Sequence, residues 1–222
     1  MKLYAVVVAL TVFMSWFTVH AQDSVTVVEK PVEMVYKNSS EHNRMDKKWT
    51  AQWQLFGAGP NGTSESAIIG GYHLDRNSVV QLEVGSGGIS GNSIFIDDKY
   101  ELSGSTVGLH YKKFFGNSFY AKIGLDYRSV TYKYKYPFTG NQEGFTGESL
   151  GAGLVIGNQW QWENFTLGCD WIGLSLPFAS TVKSETLTSS DSFYRDELNS
   201  AQQRYLRNGF AQALRFYVGY TF

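Results

Sequence analysis

The chain has 222 residues and a formal net charge of -1 at pH 7, so its length suits one domain and its charge gives no basis for nucleic-acid binding. It combines 23 glycines and 16% aromatic residues with 4 prolines and a single cysteine, a composition typical of many short strands closed into a barrel. Because Cys169 has no partner, an internal disulfide is excluded.

The N-terminal segment has the three parts of a secretory signal peptide, which we assign to residues 1–21. Lys2 supplies the positive start, an apolar run covers residues 3–17, and residues 19–21 (VHA) form a small-residue cleavage site. The apolar run is shorter than the ~20 residues that a membrane helix needs, which disfavours an uncleaved helical anchor. We therefore expect an exported chain that is either soluble in the periplasm or medium, or a barrel in the outer membrane.

Residues 22–48 are rich in charge, Asn and Ser and show little periodicity. A short stretch over residues 25–35 has the valines of a strand, but Pro31 interrupts it. The segment is predicted to be a flexible N-terminal tail on the periplasmic side.

From Trp49 onward, apolar and polar residues alternate in eight segments, as in strands with one apolar and one polar face. The clearest segment, residues 119–130, places Phe119 and Leu125 on one face and Asp126 on the other. The rest of the chain is therefore predicted to be all-β, an eight-stranded antiparallel up-and-down barrel.

The connections between these segments alternate in length. Those after the second, fourth and sixth segments are short, at residues 75–77, 116–118 and 159–164. Longer stretches include a Gly/Ser-rich loop at residues 85–99 and a polar loop at residues 177–204 that has room for a helical turn or two. Membrane barrels have short periplasmic turns and longer extracellular loops, so this alternation predicts that both termini lie on the periplasmic side.

The last segment, FAQALRFYVGYTF at residues 210–222, has an apolar row in which Gln212 is the polar member, and a mixed row that contains Arg215. A terminal Phe preceded by aromatic residues at alternate positions resembles the closing strand of bacterial outer-membrane barrels. The candidate insertion signal consists of Phe216, Val218, Tyr220 and Phe222.

Residues 49–222 as a whole resemble the small eight-stranded outer-membrane proteins, the OmpA/OmpX-type and OmpW-like barrels. The resemblance implies a transmembrane barrel in the bacterial outer membrane, in contact with outer-membrane lipids and lipopolysaccharide. It also implies recognition of the C-terminal strand by the barrel-assembly machinery, and a monomer. The resemblance is architectural, so it supports location better than any particular activity.

A soluble, secreted barrel of the lipocalin type has the same strand count but the opposite facing, with apolar side chains inside. Two features favour the membrane: the charged residues lie opposite faces rich in Leu, Ile, Val and Phe, and aromatic residues cluster near the short turns like an interfacial girdle. These aromatic residues are Trp49, Phe119, Trp160, Trp162, Phe165, Tyr220 and Phe222.

Hydrocarbon outside the barrel drives ionisable groups inward, and an eight-stranded barrel is only wide enough to be filled by side chains. We expect an ionic cluster near mid-height that plugs the lumen, because buried charges need partners. Its predicted members are Glu83, His110, Asp126, Arg128, Asp170 and Arg215. The role that follows is structural or in surface interactions, and a narrow channel for small or apolar solutes is the open alternative.

An enzyme is disfavoured. A lipid-A-modifying barrel needs a nucleophile with a histidine base at the outer leaflet. The histidines after the signal are His42 in the tail, and His73 and His110 in the periplasmic half of the barrel. They also lack metal-ligand spacing, and no phosphate-binding glycine loop is present, so neither a metal nor another cofactor is expected.

An aromatic and basic stretch after the fifth segment is the candidate surface-recognition loop. Its members are Tyr132, Lys133, Tyr134, Lys135, Tyr136 and Phe138. Such a loop could meet lipopolysaccharide phosphates, glycans or a host surface. The stretch also suits a hairpin that continues the fifth and sixth strands above the membrane.

Overall fold

The computed structural model describes residues 39–45, 47–59, 64–92, 99–136, 140–188 and 192–222, without the side chains of residues 91, 92 and 99. Our predictions for the signal peptide, for residues 22–38 of the tail and for Phe138 lie outside these described residues. None of the helices in these ranges has the length and the apolar character needed to cross a membrane.

The described chain consists of eight strands, a short helix before them and a second helix between the last two. The first helix, α1, spans Ser40–Met45. The strands are β1 (Trp49–Ala58), β2 (Glu65–Asp75), β3 (Ser78–Asn92), β4 (Lys99–Phe115), β5 (Phe119–Lys135), β6 (Gln142–Trp162), β7 (Phe165–Leu187) and β8 (Phe210–Thr221). The second helix, α2, spans Ser192–Gln202 and continues into a π-helical turn at Gln203–Arg207.

Each strand pairs with the next in antiparallel fashion, and β1 pairs with β8, so the sheet closes on itself. At this seam, the amide of Trp49 donates to the carbonyl of Phe222, and the amide of Phe222 donates to the carbonyl of Trp49, each at 2.8 Å. A closed ring leaves no unpaired strand edge, which is the condition for a sheet to cross a bilayer. The predicted eight-stranded up-and-down barrel is confirmed.

The two faces of the sheet are oriented as expected for a membrane barrel. Leu125 is 47% exposed and Leu154 is 54% exposed, whereas Asp126 is 2% exposed and Arg215 is 1% exposed. Apolar rows therefore form the outside of the barrel, and charged rows fill its lumen. A lipocalin-like barrel has the reverse arrangement, so that alternative is wrong.

The exposed apolar side chains form a belt around the barrel. On β5 the outward row is apolar from Phe119 to Tyr127, and its next members, Ser129 and Thr131, are polar. This length matches the ~9–11 residues that a tilted strand needs to cross the hydrocarbon core. At the periplasmic edge of the belt, aromatic rings meet in pairs like an interfacial girdle. The pairs are Trp49–Tyr72, Phe115–Phe119, Trp162–Phe165 and Tyr220–Phe222.

Several strands extend farther above the belt than alternation predicted. β3 continues to Asn92, β6 begins at Gln142 and β7 ends at Leu187, so residues 85–92 and 177–187 are strand rather than loop. Above the lipid the outward side chains meet water, so hydropathy no longer alternates along the strand. This loss of contrast is why the sequence indicated loops there.

The predicted periplasmic turn at residues 159–164 is narrower in the structure. β6 runs on to Trp162, and Glu163, at a φ of 51°, makes the turn together with Asn164. Gln161 therefore belongs to the inward row of β6 and is completely buried.

Part of the predicted flexible tail is helical. The hydroxyl of Ser39 accepts a hydrogen bond from the amide of His42 at 3.1 Å, which caps α1 at its N-terminus. Arg44 on this helix is 1% exposed. A flexible tail is therefore the wrong description for α1, because its side chains are anchored in the barrel.

The closing strand contains a bulge that alternation did not predict. Leu214 has a φ of 51°, and Gly57 across the seam has a φ of 138°. The bulge adds a residue to β8, so Gln212 and Arg215 are both buried in the lumen. The prediction that Gln212 lies on the apolar face is therefore wrong. A Cβ at position 57 would lie 2.5 Å from the Cα of Arg215, so the site demands glycine for space as well as for its φ.

Replacing Ile123, at the middle of the outward row on β5, by arginine would place a charge in the hydrocarbon core. We expect Ile123→Arg to lower the free energy of unfolding from liposomes by about 2–4 kcal/mol, measured by denaturant titration. The matched control is Ser129→Arg, on the same strand and face but above the belt, which should cost at most about 1 kcal/mol. Equal losses for the two variants would contradict this placement of the belt.

Candidate functional site in the lumen

The lumen holds a buried network of charges at mid-height, with a helix at each end of the barrel. Inward rows of β3, β4, β5, β7 and β8 deliver the charged side chains. Because eight strands enclose a narrow interior, side chains from opposite walls reach one another.

Arg215 on β8 is the central cation of this network. Its guanidinium donates to the carboxylate of Glu83 on β3 and forms an ion pair with Asp170 on β7, with Nη1 and Oδ2 3.5 Å apart. It also donates to the side-chain amide oxygens of Gln54, with Nε at 2.8 Å, and Gln212, with Nη1 at 2.8 Å. Arg215 therefore links β8 to three other strands through one planar group.

Lys122 on β5 is the second cation that joins the same two acids. Its Nζ lies 3.0 Å from Oδ2 of Asp170 and 3.5 Å from Oε2 of Glu83. The hydroxyl of Tyr120 donates to the other oxygen of Asp170. Alternation places Lys122 inward, but our predicted cluster did not include it.

His110 on β4 connects Glu83 to Asp126. Its Nε2 lies 2.8 Å from Oδ1 of Asp126, and its Nδ1 lies 3.9 Å from Oε2 of Glu83. The hydroxyl of Ser175 lies 3.5 Å from the second oxygen of Asp126. The imidazole ring therefore spans two carboxylates, with all three side chains buried.

Lys112, two residues along β4 from His110, is a lumen cation that the predicted cluster missed. Its Nζ donates to Oε1 of Gln159 at 3.0 Å and to the hydroxyl of Tyr217 at 3.3 Å. It also lies over the rings of Tyr120 and Tyr217, 4.2 and 4.9 Å from their centroids. Such rings stabilise a desolvated ammonium group through cation–π attraction. Residues two apart on a strand share a face, so the inward position of His110 also predicts an inward Lys112.

Arg128 lies at the outer edge of the network. Its Nε donates to the hydroxyl of Ser149 at 3.0 Å, and its guanidinium lies 5.0 Å from the ring centroid of Phe210. Glu65 on β2, which we did not predict as a member, is also buried at this outer side. The structure therefore brings together five of the predicted residues, and Arg128 lies nearer the outer end of the lumen than these five. The five are Glu83, His110, Asp126, Asp170 and Arg215.

Arg44 on α1 occupies the periplasmic mouth. Its guanidinium donates to the carbonyls of Arg76, Asn117 and Gly116 at 3.0, 2.9 and 3.3 Å, and it lies 3.9 Å from the ring centroid of Phe114. These carbonyls belong to two periplasmic turns. Burial lowers the pKa of the Arg44 guanidinium to about 10, so the group keeps its charge at neutral pH.

A second set of contacts fixes α1 to the end of β6, beside the third periplasmic turn. The side-chain amide of Asn43 donates to the carbonyl of Gln161 at 2.9 Å, and the side-chain amide of Gln161 donates to the carbonyl of Asn43 at 3.0 Å. The amide of Gln161 donates to the hydroxyl of Ser40 at 2.9 Å. α1 is therefore bound to two periplasmic turns and to the end of β6, beside the third turn.

Apolar contacts hold α2 inside the outer end of the barrel. Leu198 and Ala201 of α2 and Leu206 of the π-helical turn are buried against the inner walls of β4, β5 and β6. The wall residues are Leu102, Val130 and Phe145. An apolar lining at this height differs from the charged rows below it, and it fits the apolar face of α2.

Among the described candidate recognition residues, the four at positions 132–135 form the end of β5, and Tyr136 follows them directly. Tyr132 stacks on Tyr205 with centroids 5.6 Å apart, and Tyr136 meets Tyr194 at 4.6 Å, so these tyrosines pack against the α2 region. Lys133 and Lys135 are exposed. The extended hairpin that the sequence also allowed is the arrangement observed.

Three of the candidate insertion residues, Phe216, Val218 and Tyr220, lie on the outward row of β8 between β1 and β7, and Phe222 follows the strand directly. Tyr220 and Phe222 are exposed at the periplasmic edge. In the described ranges, no group of His, Cys, Asp and Glu side chains has the geometry to hold a metal ion.

The chain was compared with known families, curated proteins and solved structures. No family model and no curated protein matches it. A major outer membrane protein from Thermus thermophilus is similar in structure, with 16% sequence identity and a TM-score of 0.54 over 80% of this chain and 100% of that one. CarO from Acinetobacter baumannii gives 12% identity and a TM-score of 0.45 over 79% of this chain and 96% of its own. CarO2 from Acinetobacter baumannii gives 13% identity and a TM-score of 0.44, over 80% and 98%.

At these identities the similarity concerns the fold. The closed ring, the exposed apolar belt and the charged lumen are those of a sheet that spans a bilayer, with its apolar face to lipid. Together with the similarity to the Thermus thermophilus protein, they give this chain the fold of the eight-stranded β-barrels of the bacterial outer membrane.

Proposed function

We propose that the protein is a sealed, non-enzymatic barrel of the outer membrane, with a structural or surface-interaction role. The observation that carries the proposal is the buried charge network across the lumen. Its central cation, Arg215, and the acids Glu83 and Asp170 are each no more than 2% exposed. A hydrated path for ions or solutes would leave such groups accessible to water.

The energetics of buried ion pairs favour a permanent plug over a gate. Removing one partner of a buried pair leaves an uncompensated charge, which costs about 3–5 kcal/mol. Because Arg215 is shared by Glu83 and Asp170, and Lys122 by the same two acids, opening a path would break several pairs at once. α1 and α2 close the two ends in addition, by contacts that do not depend on this network.

The positions of the histidines support a non-enzymatic role. His110 is buried between Asp126 and Glu83, and His73 is buried near the periplasmic end of β2. The sequence places no histidine in the outer extensions of the strands. A hydroxyl nucleophile there would lack the usual imidazole base for attack on an outer-leaflet lipid.

We also propose how the barrel meets its surroundings. The apolar belt contacts outer-membrane lipids and lipopolysaccharide, and the aromatic end of β8 is the signal for the barrel-assembly machinery. The exposed rings of Tyr220 and Phe222 support this second role, since they remain accessible at the periplasmic edge. The closed sheet needs no strand from a second chain, which supports a monomer.

Planar-bilayer recording tests the seal directly. We expect the purified, heat-modifiable barrel to give no discrete conductance steps above leak, since charged side chains fill the lumen. An unrelated open porin reconstituted in the same way provides the positive control. Reproducible steps from the wild-type barrel would contradict the seal and favour a narrow channel for small or apolar solutes.

The strength of the plug is tested by removing its central cation. Arg215→Ala should lower the free energy of unfolding by about 3–5 kcal/mol, because two buried carboxylates lose their shared partner. The double variant Arg215→Ala, Glu83→Ala should lose less free energy of unfolding than the sum of the two single variants, because the two side chains are coupled. Arg204→Ala, an exposed arginine outside the network, is the matched control and should change stability little. Strictly additive losses would argue against a cooperative plug.

A further inference from the structure

A polar pocket of about 380 Å³ lies between the outer extensions of β4 to β7. We call it the outer-strand pocket. Hydroxyl side chains from two neighbouring hairpins dominate its polar lining, and Lys133 and Lys135 of β5 add positive charge. The hydroxyl residues are Thr131, Thr146, Ser184 and Thr186.

The height of the outer-strand pocket above the belt decides what could reach it. On β5 the apolar outward row ends at Tyr127, and Thr131 is the first member of the pocket on that row. The chain between them advances by roughly 13 Å along the strand, or roughly 10 Å along the membrane normal after a tilt of about 40°. Acyl chains end below this level. The polar region of one leaflet is only about 5–8 Å thick, so the pocket lies at its outer edge, level with a saccharide that extends beyond an ordinary headgroup.

The chemistry of the lining suits a sugar that carries phosphate. Thr131 and Thr146 face each other with hydroxyl oxygens 3.2 Å apart, so each retains further capacity to donate or accept. The Nζ of Lys133 lies 3.9 Å from the carboxylate of Glu101, and both side chains are more than two-thirds exposed. At this distance the ammonium group remains available to another anion. A charge-assisted hydrogen bond to a phosphate oxygen would be shorter and stronger than this contact with Glu101.

The outward side chains of these strands form the binding surface of the outer-strand pocket. Lys133 and Lys135 pair with Gly144 and Gln142 on β6, so the missing side chain at position 144 leaves space beside the lysines. Glu143 pairs with Tyr134 between them and has the opposite parity, so its carboxylate lies on the lumen side, where Tyr136 donates to it.

Other classes of ligand fit this lining less well. An acyl chain would meet hydroxyl and charged groups instead of an apolar wall. The described residues hold no cluster of acids or histidines suited to a metal ion. The exposed acid Glu101 lies beside Lys133, so a long polyanion would meet repulsion as well as attraction.

We propose that the outer-strand pocket binds the phosphorylated saccharide headgroup of an outer-leaflet glycolipid. This inference rests on the proposed surface-interaction role and names its ligand class. The hydroxyl groups bind sugar hydroxyls, and the two lysines bind a phosphate. The ligand belongs to the same membrane, so the pocket would anchor lipid headgroups around the barrel.

Binding is measured by calorimetry on the folded, full-length barrel in detergent, with fully deacylated lipopolysaccharide oligosaccharide as the probe. We expect saturable binding of one oligosaccharide per chain. A combined Lys133→Ala and Lys135→Ala variant should bind at least about fivefold more weakly, since each exposed ion pair contributes modestly. Thr131→Val with Thr146→Val should also weaken binding, because the hydroxyl partners are lost while shape is kept.

Two further arms identify the ligand chemistry. The same oligosaccharide after enzymatic removal of phosphate should bind at least about fivefold more weakly, and inorganic phosphate alone should not compete. Equal binding without phosphate would overturn the inference in favour of a neutral glycan. Full competition by inorganic phosphate would overturn it in favour of a simple anion site.

The matched control is Lys113→Ala, a lysine on the same barrel at the periplasmic end of β4, bonded to the hydroxyl of Ser78 at 2.9 Å. It should leave binding unchanged. Heat-modifiable gel migration shows that each variant is a closed barrel. If an intact, non-conducting barrel binds no oligosaccharide, or if Lys113→Ala weakens binding as much as the pocket variants, this inference is overturned while the sealed barrel stands.

Discussion

Lipid on the outside of the barrel is the constraint on which the rest of the structure depends. It requires every backbone group of the spanning sheet to pair within the sheet, so the strands close into a ring. It also drives ionisable side chains into a lumen too narrow for water to solvate them. Each such charge then needs a partner on the opposite wall. Arg215 meets Glu83 and Asp170 in this way, and Lys122 joins the same acids.

Three different interactions occupy the lumen at three heights. At the periplasmic mouth, the guanidinium of Arg44 satisfies carbonyls that the tight turns leave unpaired. At mid-height, ion pairs neutralise the charges that the lipid excludes from the outer face. At the outer mouth, the apolar side chains of Leu198 and Leu206 fill a wall that has become apolar above the lipid. Each interaction therefore suits the groups that the barrel presents at that height.

Alternation predicted the strand count, the facing of both surfaces and the inward position of most lumen charges, because lipid imposes a strong contrast between neighbouring residues. It failed where that contrast is absent. The extensions of β3, β6 and β7 above the belt have the sequence pattern of loops. The anchoring of α1 depends on backbone carbonyls far away in sequence, which no local pattern near Arg44 reveals. Alternation places Lys112 on the inward row of β4. Because it contacts aromatic rings and a side-chain amide instead of an acid, a search for matched acids and bases did not include it.

The bulge at Leu214 has a consequence for assembly. Without the extra residue in β8, Gln212 would turn toward the hydrocarbon and the Nη1 atom of Arg215 would lose its amide acceptor. The first and last strands can thus complete their interactions in a single alignment, set jointly by Leu214 on β8 and Gly57 on β1. A barrel closed with β8 shifted by one residue against β1 would lose these contacts. The bulge therefore favours closure in the native register.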